Sequence, residues 1–177
     1  IVYVNGTTGD DATGERGNPL KPFKTIQKGI DVAVSVEDTV LVADGTYTVP
    51  DNPGYLDTKG KAITVTSENG PDKTIIDSKG SPTIQKRAFG IHLGEGPNTV
   101  ISGFTMTGGY KPKGGAIFCQ YTSPRIENNI ITGNNAQDSG GAIICQAAST
   151  SQPISPIIVN NIITDNHAQN YGGGIVC

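Results

Sequence analysis

The chain has 177 residues, of which 35% are hydrophobic, 16% charged and 6% aromatic, with 24 Gly, 11 Pro and no Trp. That is enough for one domain with a real core, and so much turn punctuation excludes a helical bundle in favour of an all-β fold with many corners. A net charge of −3, with both signs interspersed, excludes the basic footprint of a nucleic-acid binder, and no apolar run approaches the length of a membrane span.

In chain order, Ile1-Val2-Tyr3-Val4 is a strand signal, and a loop rich in Gly, Thr and Asp follows from Asn5 to Asn18. Asp10, Asp11 and Glu15 in this loop are candidate calcium ligands, because calcium takes several oxygens from a flexible loop. The spacing matches no strict calcium motif, and a plain solvated loop is the competing reading. Asn5-Gly6-Thr7 is a glycosylation sequon, with meaning in a glycosylating cell. The N-terminus lacks the basic and hydrophobic regions of a signal peptide, so a secreted protein would be represented here by its mature form.

Pro22 opens a helix expected from Lys24 to Val34, with Ile26, Ile30, Ala33 and Val34 on one face. Such a helix can lie across the open end of a β-solenoid and cover its core and strand edges. Residues 1–38 therefore form a strand, loop and capping helix, and residues 39–177 form the coils. Thr39 to Ala43 is the expected first coil strand, turned by Asp44-Gly45, and Ala62 to Thr66 and Thr74 to Asp77 add further strands. Gly90 to Leu93 aligns with Ala116 to Cys119. Val100 to Thr107 aligns with Arg125 to Thr132, which places Ile101, Phe104 and Met106 over Ile126, Asn129 and Ile131.

From Gly114 onward the sequence repeats. Gly114-Gly115-Ala116-Ile117-Phe118-Cys119 returns 26 residues later from Gly140 to Cys145 and 32 residues after that from Gly172 to Cys177. Ser123 to Ala136 has a near copy from Ser155 to Ala168, and Ser123 to Gly140 and Ser155 to Gly172 both span 17 residues, so the extra length falls after Cys145. The period is too short for two helices and fits one turn of a solenoid. With strand signals at Ala116 to Cys119, Arg125 to Glu127 and Asn129 to Thr132, each turn carries three strands, the pattern of a right-handed parallel β-helix.

Side chains alternate along a strand, so the interior is set by the spacing. Ile117, Cys119, Ile143, Cys145, Ile175 and Cys177 point inward, as do Ile126 over Ile158 and Ile131 over Ile163. The odd step from Ile126 to Ile131 requires a bend at Asn128-Asn129, where Asn tolerates left-handed backbone and its amide can bond to the Asn one coil away. Asn129 and Asn161 form one expected ladder, and Asn134 and Asn166 mark the next corner. A sugar- or metal-binding role for these asparagines is the alternative. Cys119, Cys145 and Cys177 are read as stacked thiols, since side chains projecting in parallel suit a disulfide badly.

Tyr3-Val4-Asn5-Gly6, the run from Asn18-Pro19 to Ile30, Asp38 to Tyr47 and the Gly-Gly-Ala-Ile repeats together resemble the N-terminal part of secreted right-handed β-helix proteins of the pectate-lyase-like superfamily. Asn134, Ala136 and Gly140 to Ile143 also resemble repeats of the polymorphic autotransporter adhesins, which usually have Phe where Ile131 stands. The resemblance implies an extracellular or cell-surface protein. It also implies a groove over the sheet bearing the Gly-Ala-Ile-x-Cys strand, in which lyases, hydrolases or esterases of the superfamily act through outward residues.

The outward row expected on that sheet is His92, Phe118, Ile144 and Val176, which holds no carboxylate pair for a hydrolase or esterase and no acidic cluster for a lyase. If the protein is an enzyme, a polysaccharide lyase or glycoside hydrolase is the expected kind, acting through coils beyond Cys177. An exposed row of Phe118, Ile144 and Val176 calls for a cover, either the loop Gln146 to Ser155 or another chain. His92, Phe118, Tyr121 and the loop Tyr110-Lys111-Pro112-Lys113 are the candidate carbohydrate contacts, with ring faces and positive charge suited to an acidic polysaccharide. Because the repeat stops in mid-strand at Cys177, self-association through the last rung is the other expected partner mode.

Overall fold

In a computed structural model, residues 1–34, 38–147 and 153–177 are described, and they form a parallel β-solenoid of about five turns with one short helix. The parallel pairing fits a right-handed β-helix. The chain opens with β1 (Val2–Val4) and α1 (Ile26–Val32), and the first full turn holds β2 (Thr39–Val42), β3 (Gly45–Tyr47) and β4 (Leu56–Asp57). The next holds β5 (Thr64–Ser67), β6 (Thr74–Asp77) and β7 (Phe89–Ile91). A third holds β8 (Val100–Ser102), β9 (Thr105–Thr107), β10 (Tyr110–Lys113) and β11 (Ile117–Gln120). The fourth holds β12 (Arg125–Glu127), β13 (Ile130–Thr132), β14 (Asn135–Ser139) and β15 (Ile143–Gln146). The last holds β16 (Ile157–Val159), β17 (Ile162–Thr164), β18 (His167–Ala168) and β19 (Ile175–Val176).

Three sheets run along the axis. Sheet A has the order β1-β2-β5-β8-β12-β16, sheet B β3-β6-β9-β13-β17, and sheet C β4-β7-β11-β15-β19. Every pairing between these strands is parallel, and identical faces stack. Val2, Val40, Val65, Ile101, Ile126 and Ile158 make one continuous column in sheet A. Leu56, Phe89, Ile117, Ile143 and Ile175 make another in sheet C. Because β1 pairs in register with β2, the first rung begins at Val2, ahead of the strand at Thr39 that the sequence marks as first.

The repeat also builds a fourth, three-stranded ladder, β10-β14-β18, over Tyr110 to Lys113, where a loop was expected. Its register shifts between Lys111 and Lys113. Pro112 lies at that shift and has no N–H to give a ladder, which explains why the segment looks like a loop in the sequence.

The helix is shorter than its apolar pattern suggests. Thr25 caps it, its hydroxyl accepting from Lys28 N at 3.2 Å, and Asp11 holds Thr25 in place. Ile26, Ile30 and Ala33 are buried, whereas Val34 is 54% exposed, because the chain leaves helical geometry at Ala33. α1 lies over the first rung so closely that a Cβ on Gly29 would come within 2.6 Å of Val4 and 2.9 Å of Val40. Only a residue without a side chain lets the helix seat on this end of the core.

At the corner between sheets A and B, Asn128 and Asn160 adopt left-handed backbone, with φ of 56° and 55°. Asn129, 1% exposed, donates from Nδ2 to Asn161 Oδ1 at 3.0 Å and to the Ile101 carbonyl at 3.1 Å, while its Oδ1 accepts from Phe104 N at 3.0 Å. One corner further, Asn134 donates to Asn166 Oδ1 at 2.9 Å and accepts from Gly109 N at 2.9 Å. Phe104 occupies the ladder position one coil up. There the corner is filled by its ring, which packs against Phe89 with centroids 6.5 Å apart.

Candidate functional site

The outer face of sheet C carries the site. Phe89 and Ile91 are buried and point inward, so Gly90 between them faces out. The Tyr55 ring lies against Gly90 so closely that a Cβ there would stand 2.6 Å from Tyr55 Cδ2. His92, two residues on and on the same face, meets Tyr55 edge-on with centroids 5.9 Å apart and planes at 87°. On the next rung Phe118 stands in register with Gly90.

Two cations close over these rings. The Arg87 guanidinium carbon sits 4.9 Å from the Phe118 centroid and 6.0 Å from that of Tyr55. Lys111 Nζ, from the added ladder, lies 5.8 Å from the Tyr55 centroid. Arg87 is only 9% exposed. Its Nη1 donates to the Lys113 carbonyl at 2.8 Å, and its Nε is enclosed without a partner among the described residues. Among the described residues, no carboxylate lies within ion-pair distance of Arg87, Lys111 or His92. Burial pushes the Arg87 guanidinium down to about 10, and burial followed by repulsion from Arg87 lowers Lys111. What this face offers is donors, positive charge and ring surface, a set suited to holding a ligand.

The sequence-predicted contacts divide. His92, Lys111 and Phe118 come together, and Lys113 joins through its backbone carbonyl, its ammonium lying 3.9 Å from Asp138. Tyr110 instead bridges to Lys86 through the backbone. Tyr121 stands apart, 49% exposed, at a separate cleft of ≈ 460 Å³ that also contains Glu95, Pro97 and Pro153. Glu95 is fully engaged there, accepting from Thr58 Oγ1, Gly60 N and Leu93 N at 2.6, 2.9 and 2.7 Å.

The predicted outward row needs two corrections. Gly90, and not His92, is the partner of Phe118, so the alignment of this coil was out of step by two residues. A slip of two keeps every side chain on its own face, so alternation could not reveal it. Nor is the row an open apolar stripe. Arg87 covers Phe118, and Ile144 is 5% exposed because the turns at Gly114 and Gly140 fold onto it. Val176, in register with Ile144, is half-buried. Half of the loop Gln146 to Ser155, expected as a cover, falls on residues 148–152, outside the described residues.

The three acidic residues of the first loop are engaged separately. Asp10 accepts from Ala12 N and Thr13 N, Asp11 from Lys24 N and from Thr25, and Glu15 pairs with Lys21 and Asn18. Among the described residues, no group of three or more His, Cys, Asp or Glu side chains is placed to hold a metal ion. The cysteines are free, with Cys119 and Cys145 buried and in register and Cys177 exposed. At the last rung Ile157, Ile162 and Ile175 are 38%, 59% and 41% exposed. Among the described residues, no helix is long and apolar enough to cross a membrane.

Fold and site together define a parallel β-helix protein with a cationic, aromatic patch on one sheet. No curated protein and no solved structure matches the chain. Residues 7–177 match the model of the family described as a protein of unknown function, DUF1565, and the chain belongs to that family.

Proposed function

We propose that this chain is a non-catalytic carbohydrate-binding module of an extracellular or cell-surface protein, which holds a sugar chain against the outer face of sheet C. The observation that carries this reading is the Tyr55 ring seated on Gly90 with His92 edge-on beside it, on the rung next to Phe118 and its Arg87 cover. Ring faces pack against the C–H faces of sugars, and the Lys111 and His92 side chains supply hydrogen-bond donors at the margin. A rigid solenoid presents such a patch without loop ordering, which lowers the cost of binding an extended ligand.

The test is a glycan array followed by titration of each hit with soluble polysaccharide. Wild-type protein is expected to bind at least one class of polysaccharide, and Tyr55→Ala to weaken that binding at least tenfold while the fold survives. A folded wild-type protein that binds nothing on the array sinks the proposal. The competing reading, a polysaccharide lyase, is separated by assay for unsaturated ends, which the binding module does not release.

A further inference from the structure

We propose that Arg87 and Lys111 form a receptor for one anionic substituent, a carboxylate or sulfate group, on the sugar chain held at sheet C. This deepens the carbohydrate-binding reading and rests on it.

A guanidinium 9% exposed is expected to be paired with an acid, and Arg87 has none within reach among the described residues. Its single hydrogen bond among the described residues, from Nη1 to the Lys113 carbonyl, leaves the charge uncompensated. The Phe118 and Tyr55 rings attract the cation through their faces but accept none of its N–H bonds in the plane. Among the described residues Nη2 makes no hydrogen bond, and unlike Nε it is not completely enclosed, so that end of the guanidinium fork is left for a ligand. Lys111 brings a second positive charge to the same Tyr55 ring, again without an acid partner among the described residues. Two like charges beside each other in a partly buried place repel, and one anion between them would relieve both. A neutral hydroxyl would accept a hydrogen bond but cancel no charge. A planar carboxylate or a sulfate offers two oxygens to the fork, and an ammonium beside it adds a point charge. The anion is placed next to the rings, so the sugar that bears it can lie on Tyr55 and His92.

The experiment compares binding of the intact chain to polygalacturonate, to its fully methyl-esterified form and to dextran sulfate, which carries sulfate and no carboxylate, by titration calorimetry at fixed salt. The expected result is at least tenfold tighter binding of one or both charged polymers than of the ester, the tighter of the two identifying carboxylate or sulfate as the group held. Arg87→Gln and Lys111→Met are each expected to bring charged and esterified polymers to within twofold of each other. Tyr55→Ala weakens all of them alike. Lys111→Met, on a half-buried side chain, keeps the test valid if Arg87→Gln does not fold. Equal binding of charged and esterified polymers by wild type, or a preference that survives Lys111→Met, overturns the receptor and leaves the carbohydrate reading standing. Binding to none of the three polymers overturns the receptor, whereas the array above decides the carbohydrate reading separately.

Discussion

Asn129 Nδ2 and Asn161 Oδ1 lie 3.0 Å apart across adjacent coils, and the same Asn129 amide accepts the Phe104 N–H one coil up. A single side chain thus closes backbone and side-chain groups on three successive turns. Asn129→Ala leaves buried partners unpaired, each at about 1–3 kcal/mol, so a loss of about 3 kcal/mol is expected in urea denaturation. Asn161→Ala, at a half-buried corner, should cost clearly less. Equal losses at the two positions would show that the amide column is not what holds the corner.

Gly90 is the seat of Tyr55. A methyl group at this position would meet the ring at 2.6 Å, so the ring must swing away. Gly90→Ala is therefore expected to cost about 1–3 kcal/mol as an overpacking change and to quench carbohydrate binding as fully as Tyr55→Ala does. Normal binding by this variant would place the ligand elsewhere than on that ring.

Asp38 joins the N-terminal segment to the coils. Arg16 Nη2 donates to it at 2.7 Å and Val34 N at 2.7 Å. The Arg16 hydrogen bond, outweighing burial, holds the Asp38 carboxyl below its ordinary value. A depressed folded pKa means that this contribution is complete above the unfolded value of about 3.9 and fades as pH falls through the lower folded value. Asp38→Asn is expected to lose about 2 kcal/mol at neutral pH, with the gap to wild type narrowing below about pH 4. A gap independent of pH would remove the charge from the explanation.

The three thiols differ in access although they stack. The thiol contact with Cys145 and complete burial push Cys119 well up, and Cys177 is exposed. A maleimide added to native protein should modify Cys177 at once and leave Cys119 untouched until denaturant is added, as intact-mass measurement would report. Early modification at Cys119 would mean that the last coils open readily.

Much of the architecture was legible because a parallel solenoid writes its columns directly into the sequence. Ile126 over Ile158, Ile131 over Ile163 and the paired asparagines recur at the spacing of the coil, and the pairing follows that spacing. Half of the site was not legible. Tyr55 follows a turn at Asn52-Pro53-Gly54 that has no counterpart in the later repeats, so nothing marked its ring for sheet C. Arg87 was hidden by the slip of two residues. Counting back from the Phe89 and Ile117 pair puts Arg87 level with Gly115, a basic side chain in a place where the repeat keeps glycine. A correct register would have singled it out.

The meeting of Phe104 with the amide of Asn129 gives the molecule a direction of growth. Each asparagine in the column brings its own acceptor for the floor above, so storeys can be added by copying the unit without redesigning the joint. Toward α1 the column ends, since the aromatic ring has no amide to hand on. Lengthening by duplication is open on one side of Phe104 and closed on the other.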